Sequence, residues 1–215
     1  MPSQPSARRA GAPTARPSTL RTAGDGAHHR GELRGVRGSV RPVSEPADHG
    51  LALDRDERVS TADEREMLDA FLDLCRDTVV GKVRGLSEEE ARRRLVPSLT
   101  TAGGLLKHLR WVETGWFHQV LGARAGDNRR PHERESEFRM EPDETVDSLV
   151  AAYVVACAES RRIAAAHALD DRVPHGRMGE VSVRWIYVHM IEETARHAGH
   201  LDILREQIDG ATGSG

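Results

Sequence analysis

One stretch constrains this chain more than any other: Val188-His189-Met190-Ile191-Glu192-Glu193-Thr194-Ala195-Arg196-His197-Ala198-Gly199-His200-Leu201. Taken as a helix at about 100° per residue, it collects Ile186, His189, Met190, Glu193, His197, His200, Leu201, Leu204 and Ile208 in an arc of about 120°. That is the width of a core-facing stripe, yet its centre holds imidazoles and a carboxylate. Apolar residues bracket them at both ends, so a solvated face does not fit. Polar groups placed inside a fold need partners, and charges there need opposite charges or a metal. Two readings stay open: hydrogen-bonded core histidines, or a metal site drawing on His189, Glu193, His197 and His200.

The remaining chain has to supply a core and a further ligand. Residues 1–58 do neither. They are rich in Pro, Gly, Ser, Ala and Arg, lack Phe, Tyr and Trp, and show no sustained period. Such a segment buries too little apolar area to offset its ordering entropy, and a disordered N-terminal arm is expected. Eight Arg against four acidic residues give residues 1–50 a charge of +4, so the remainder carries −7 of the overall −3. A net acidic domain argues against nucleic acid as its main partner. No apolar run approaches the ~18 residues of a membrane span. The Arg-bearing N-terminus is followed by no apolar stretch of the secretory kind. The two cysteines, Cys75 and Cys157, form no CxxC and no disulfide framework. A cytoplasmic, reducing setting is the expectation.

The domain is expected over residues 59–213. Thr61-Ala62-Asp63-Glu64 reads as a capping box opening a first long helix, about 62–83, with a stripe of Met67, Leu68, Phe71, Leu74, Cys75 and Thr78 and Val79 beside it. Both cysteines read as small core hydrophobes rather than nucleophiles. Ser87-Glu88-Glu89-Glu90 opens a short helix stopped by Pro97. A second long helix runs from the Thr101 cap to Gly122, facing inward with Leu105, His108, Leu109, Val112, Trp116 and Val120. His118 points away from that arc, toward solvent. Residues 123–142 are a long polar loop whose Arg129, Arg130 and Arg134 suit an anionic group, though a solvated loop is the simpler reading. A third helix spans about 143–168, with Val146, Leu149, Val150, Tyr153, Val154, Cys157 and Ala164 inward. Residues 169–181 read as loop, and Ser182 caps the fourth helix, which ends at Asp209-Gly210. Four amphipathic helices and no convincing strand define an all-α, four-helix bundle.

Within such a bundle, Glu193 and His197 lie one turn apart and reach one ion together. His108, at the edge of its stripe, completes the set. Two imidazoles and a carboxylate with open positions suit Zn²⁺, or Ni²⁺ or Fe²⁺. His189 and His200 flank the pair as supporting groups or alternative ligands. An open metal either activates a bound water for hydrolysis or holds a thiol as thiolate for attack on an electrophile. The pattern does not separate these uses, and it assigns no catalytic residue.

Two motifs carry a resemblance. One is Leu105-Leu106-Lys107-His108-Leu109, with Val112-Glu113 and Trp116-Phe117. The other is Arg184-Trp185-Ile186, the run from His189 to His200, and Leu204-Arg205-Glu206. In this order, over about residues 60–213, they resemble the DinB-like superfamily, and within it the actinobacterial branch of mycothiol-dependent enzymes. The resemblance implies a four-helix bundle, often a homodimer, with one divalent metal held by His108, Glu193 and His197. It also implies a low-molecular-weight thiol, mycothiol, as co-substrate attacking an electrophilic small molecule. Many relatives carry a second His where this chain has Glu193, and the Glu variant is similar to the thiol-dependent isomerase branch. The expected activity is a metal-dependent thiol S-transferase. The alternatives are a thiol-dependent isomerase, a metal hydrolase, or a non-catalytic metal-binding stress protein. The tail is outside the family pattern.

Overall fold

The computed structural model describes residues 55–124 and 137–213. The elements run α1 Arg55–Arg58, α2 Glu64–Val83, α3 Glu88–Arg92, α4 Ala102–Glu113, a π-helical turn Thr114–Leu121, α5 Val146–Ala164, β1 Arg172–His175, β2 Gly179–Ser182 and α6 Val183–Asp209. The arm expected over residues 1–58 falls almost wholly outside the described residues, and its last four form α1. The expected arginines of the long loop, Arg129, Arg130 and Arg134, also lie outside them.

Local chemistry sets most helix ends. Ser87 and Glu90 form the reciprocal capping box of α3. Thr101 accepts from the Gly104 amide at the start of α4, and Ser182 accepts from the Trp185 amide at the start of α6. Gly210 stops α6 at φ 78°, the left-handed conformation that a Cβ disfavours. One start differs from expectation. The side chain that caps α2 is Asp63, accepting from the Glu66 amide at 2.9 Å, so the helix opens at Glu64 rather than at residue 62. α5 likewise opens later than expected, at Val146, because Thr145 and Ser148 form a capping box there.

Two apolar clusters fill the bundle. One gathers Val79 and Val83 of α2, Leu105 and Leu109 of α4, Leu149, Tyr153 and Cys157 of α5, and Leu201 and Leu204 of α6. The other holds Leu72, Phe117, Leu121, Ile163, Ile186 and Met190. Each aliphatic side chain so buried contributes about 1.5–3 kcal/mol. The order in which each helix meets the clusters gives the topology. α2 and α6 run one way, α4 and α5 the other, so α4 and α5 are parallel and need the long connection between them.

Between the clusters lies a polar waist to which each main helix contributes a buried polar residue: Arg76, Glu113, Ser160 and Thr194. Arg76 donates from Nε and Nη2 to the two carboxylate oxygens of Glu113, both at 2.7 Å, and from Nη1 to Asp73 at 3.0 Å. Burial alone would lower the Arg76 pKa. The Glu113 charge and hydrogen bonds reverse this and hold it above its ordinary value.

This pair explains why the expected stripe of α2 is turned by about one residue. Facing Arg76 inward buries Leu72, Val79, Val80 and Val83, leaves Phe71 exposed and leaves Cys75 half-buried. Cys157 is core, as expected, and burial pushes both thiols up. Val154, expected inward on α5, is exposed.

The second expected helix is α-helical only to Glu113. Beyond it the i→i+5 turn is wider, so burial falls on Phe117 and Leu121 instead of Trp116 and Val120. His118, expected toward solvent, is half-buried. Its Nε2 donates to the Ala156 carbonyl at 3.1 Å.

The expected loop 169–181 contains an antiparallel ribbon pairing Val173 with Val181 and His175 with Gly179. Its strands are four residues long, and Pro174 interrupts the first, so no alternating pattern announces them. Val181 and Val183 anchor the ribbon in the second cluster.

Removing one partner of a buried ion pair strands the other charge. Arg76→Met is therefore expected to lower unfolding free energy by about 3–5 kcal/mol in urea denaturation, with Arg76→Met/Glu113→Leu recovering most of the loss. An unchanged single mutant would show that the pair does not set the waist.

Candidate metal centre

α4 and α6 face each other beside the waist, and this contact brings His108 to Glu193 and His197. Glu193 and His197 share one face of α6 because they are one turn apart. Glu193 Oε1 lies 3.3 Å from His108 Nε2 and 3.2 Å from His197 Nε2. All three donor atoms fall within 4.8 Å of one another. His197 is buried, and the other two are mostly covered.

The outer atoms of the same side chains are engaged elsewhere. His108 Nδ1 is 3.4 Å from Glu137 Oε2, and His197 Nδ1 is 3.3 Å from His200 Nδ1. Arg196 Nη1 donates to Glu193 Oε2 at 3.2 Å and pairs on its other side with Glu192. Glu193 therefore turns a single oxygen inward. Hydrogen bonds from His108 and then His197 hold its carboxyl well below the usual carboxylate range, against the opposing effect of burial.

This donor set fits a divalent ion. The inner Nε2 atoms of both imidazoles meet at one anionic oxygen, and with the proton of each displaced they would present lone pairs to a cation there. Metal bonds of about 2.0–2.2 Å in a tetrahedral arrangement place ligand atoms about 3.3 Å apart, which is the spacing found here from Glu193 to each imidazole. Three protein ligands leave a position open, the pattern of a reactive rather than a closed structural site.

Of the histidines singled out in the sequence, His108 and His197 converge with Glu193. His200 is exposed and touches His197. His189 is elsewhere: it stacks on Trp185 at 5.1 Å and meets Trp116 edge-on at 4.9 Å. His175 also stacks on Trp116, at 5.2 Å. This aromatic group stands where the π turn has moved Trp116 out of the core. A cleft of about 260 Å³ is bounded by Trp116, His175, Trp111 and Gln119, and also by His108 and Glu137. Glu137, in an aperiodic segment, carried no sequence signal. Arg196 stood just outside the stripe and gave none either.

An all-α bundle with a His/Glu/His cluster beside an aromatic cleft is the class of protein that fold and site define. A family model described as mycothiol-S-transferase matches residues 67–210. The chain belongs to that family, and through it to the DinB-like superfamily. No curated protein matches the chain. Among solved structures it is similar to a conserved protein from Enterococcus faecalis, at 12% identity and a TM-score of 0.52, over 69% of this chain and 98% of that one. That likeness extends to the fold alone. Among the described residues no helix is long and apolar enough to cross a membrane.

Elemental analysis of the purified protein is expected to find one divalent ion per chain, and little in His108→Ala or His197→Ala, while far-UV circular dichroism stays helical in all three. Equal metal content across them would rule the site out.

Proposed function

We propose that this chain is a metal-dependent thiol S-transferase that joins mycothiol to an electrophilic small molecule. The observation that carries the reading is the convergence of His108, Glu193 and His197 beside an aromatic cleft, in a chain of the mycothiol-S-transferase family. His108 and His197 supply neutral nitrogen donors, and Glu193 supplies one negative charge through Oε1. These three side chains would hold a divalent cation, and its charge would favour the thiolate form of a thiol bound beside them at neutral pH. Zn²⁺ suits the donor set best, with Ni²⁺ or Fe²⁺ as alternatives.

The protein's own groups do the rest. Arg196 keeps Glu193 presenting one oxygen. Trp116 and Trp111 wall the cleft beside the three side chains. The thiol proton passes to solvent. The sulfur forms a bond to the electrophilic carbon, and the leaving group departs with its electron pair. Neither cysteine lines the cleft, and burial raises the pKa of both thiols. A homodimer is part of the proposal through the family resemblance.

A thiol-dependent isomerase is the second reading, favoured by Glu193 in a place where many relatives carry His. Thiol stoichiometry separates the readings. With mycothiol and chlorodinitrobenzene, a transferase consumes one thiol per product and loses activity on chelation. Turnover that returns the thiol favours the isomerase, and turnover without thiol favours a hydrolase. A purified metal with no open coordination position would leave only a non-catalytic metal-binding protein.

A further inference from the structure

A second pocket, of about 200 Å³, shares no lining residue with the cleft at Trp116. Arg92, Arg94 and Arg139 line it together with the apolar Leu99, Phe138 and Met140, and among the described residues no carboxylate does. Two ties fix the segment that carries Phe138 and Arg139. Lys107 donates to the Arg139 carbonyl at 3.1 Å, and Gly104 leaves room for the Phe138 carbonyl where a Cβ would overlap it.

The three guanidiniums are held mostly by neutral groups. Arg92 donates from Nη2 to the carbonyls of Glu141 at 2.8 Å and Glu144 at 2.6 Å. Arg94 donates from Nε to the Ser98 carbonyl at 3.2 Å and from Nη2 to the Pro97 carbonyl at 2.9 Å. Carbonyl oxygens orient a guanidinium without cancelling its charge. The carboxylate paired with this group is Glu88, 3.6 Å from Arg92, and its oxygens already accept from the Val146 amide at 3.1 and 3.0 Å. The Arg139 side chain is exposed and has no hydrogen bond or ion pair among the described residues. Three positive charges thus border one part-apolar hollow with a single carboxylate beside them. Guanidinium forks match the oxygens of phosphates and carboxylates.

We propose that this pocket binds a small organic anion, a phosphate or carboxylate carried on an apolar body. The head group meets Arg139 and Arg94, and the body rests on Leu99, Phe138 and Met140. The Phe138 ring also stacks on His108 at 4.5 Å and 21°, so the occupant touches the ring that seats His108. The site needs no metal, and it goes beyond the S-transfer reading.

The test is calorimetric titration of the full chain at low ionic strength with phenyl phosphate, benzoate, inorganic phosphate and benzyl alcohol. Phenyl phosphate and benzoate are expected to bind, the dianion more tightly. Inorganic phosphate is expected to bind more weakly than phenyl phosphate, and benzyl alcohol not at all. Arg139→Gln is expected to weaken phenyl phosphate about tenfold, the loss of one charge-assisted hydrogen bond, with an unchanged thermal midpoint in the absence of anion. Arg93→Gln removes the same charge outside the pocket and is expected to leave the affinity unchanged. Equal losses in the two variants would reduce the effect to diffuse surface charge and overturn the proposal. Equal affinity for phenyl phosphate and inorganic phosphate would overturn it too, as would binding lost when a chelator strips the protein, since the anion would then sit on a metal. Failure of the chain to bind metal would sink the proposed function and leave this titration as decisive as before.

Discussion

Glu113 is a carboxylate with no exposed surface at the centre of a helical bundle, and the molecule is arranged around making that tolerable. An unpaired charge in such a place costs far more than any single apolar contact returns. Arg76 meets both carboxylate oxygens, so the two charges fix the rotation of α2 against α4. Once that rotation is set, Phe71 must face outward and Leu72 inward. The same pair divides the apolar interior into two clusters, and the π turn after Glu113 lets α4 continue past it with Phe117 and Leu121 in the second cluster.

The same rule acts differently on the second covered carboxylate. Glu193 has its outer oxygen matched by Arg196, but its inner oxygen faces the Nε2 atoms of His108 and His197. Glu113 is neutralised by a fixed side chain and is structural. Glu193 is neutralised only in part, among groups that bind cations. One bundle thus carries two covered carboxylates with different partners, an arginine for Glu113 and two imidazoles for Glu193.

Helix limits were legible where a single residue decides them. Ser87, Thr101 and Ser182 each satisfy an orphan amide, and Gly210 takes a conformation other residues resist. The pairing of Glu193 with His197 was equally plain, because one turn of helix separates them. The start of α2 was less so, since Thr61 and Asp63 both make good caps. Periodicity failed on α2 because a charged residue in a stripe is ordinarily assigned to solvent, and Arg76 is not there. It failed after Glu113 because a π turn does not keep the α-helical phase. It was silent on the β1–β2 ribbon, which is short and contains Pro174, and on Glu137, which belongs to no periodic element.

The sequence by itself determined the all-α class and the main helices, and spacing together with the family resemblance pointed to His108, Glu193 and His197 as the candidate centre. Only the tertiary structure decided which neighbours complete them. His108 reaches Glu193 because α4 packs beside α6, Glu137 reaches His108 because a tied segment returns across α4, and His189 departs to an aromatic group because Trp116 was turned out of the core. Contacts between distant segments depend on how helices rotate against one another, and that rotation is set by buried charge pairs which a linear pattern of apolar residues does not record.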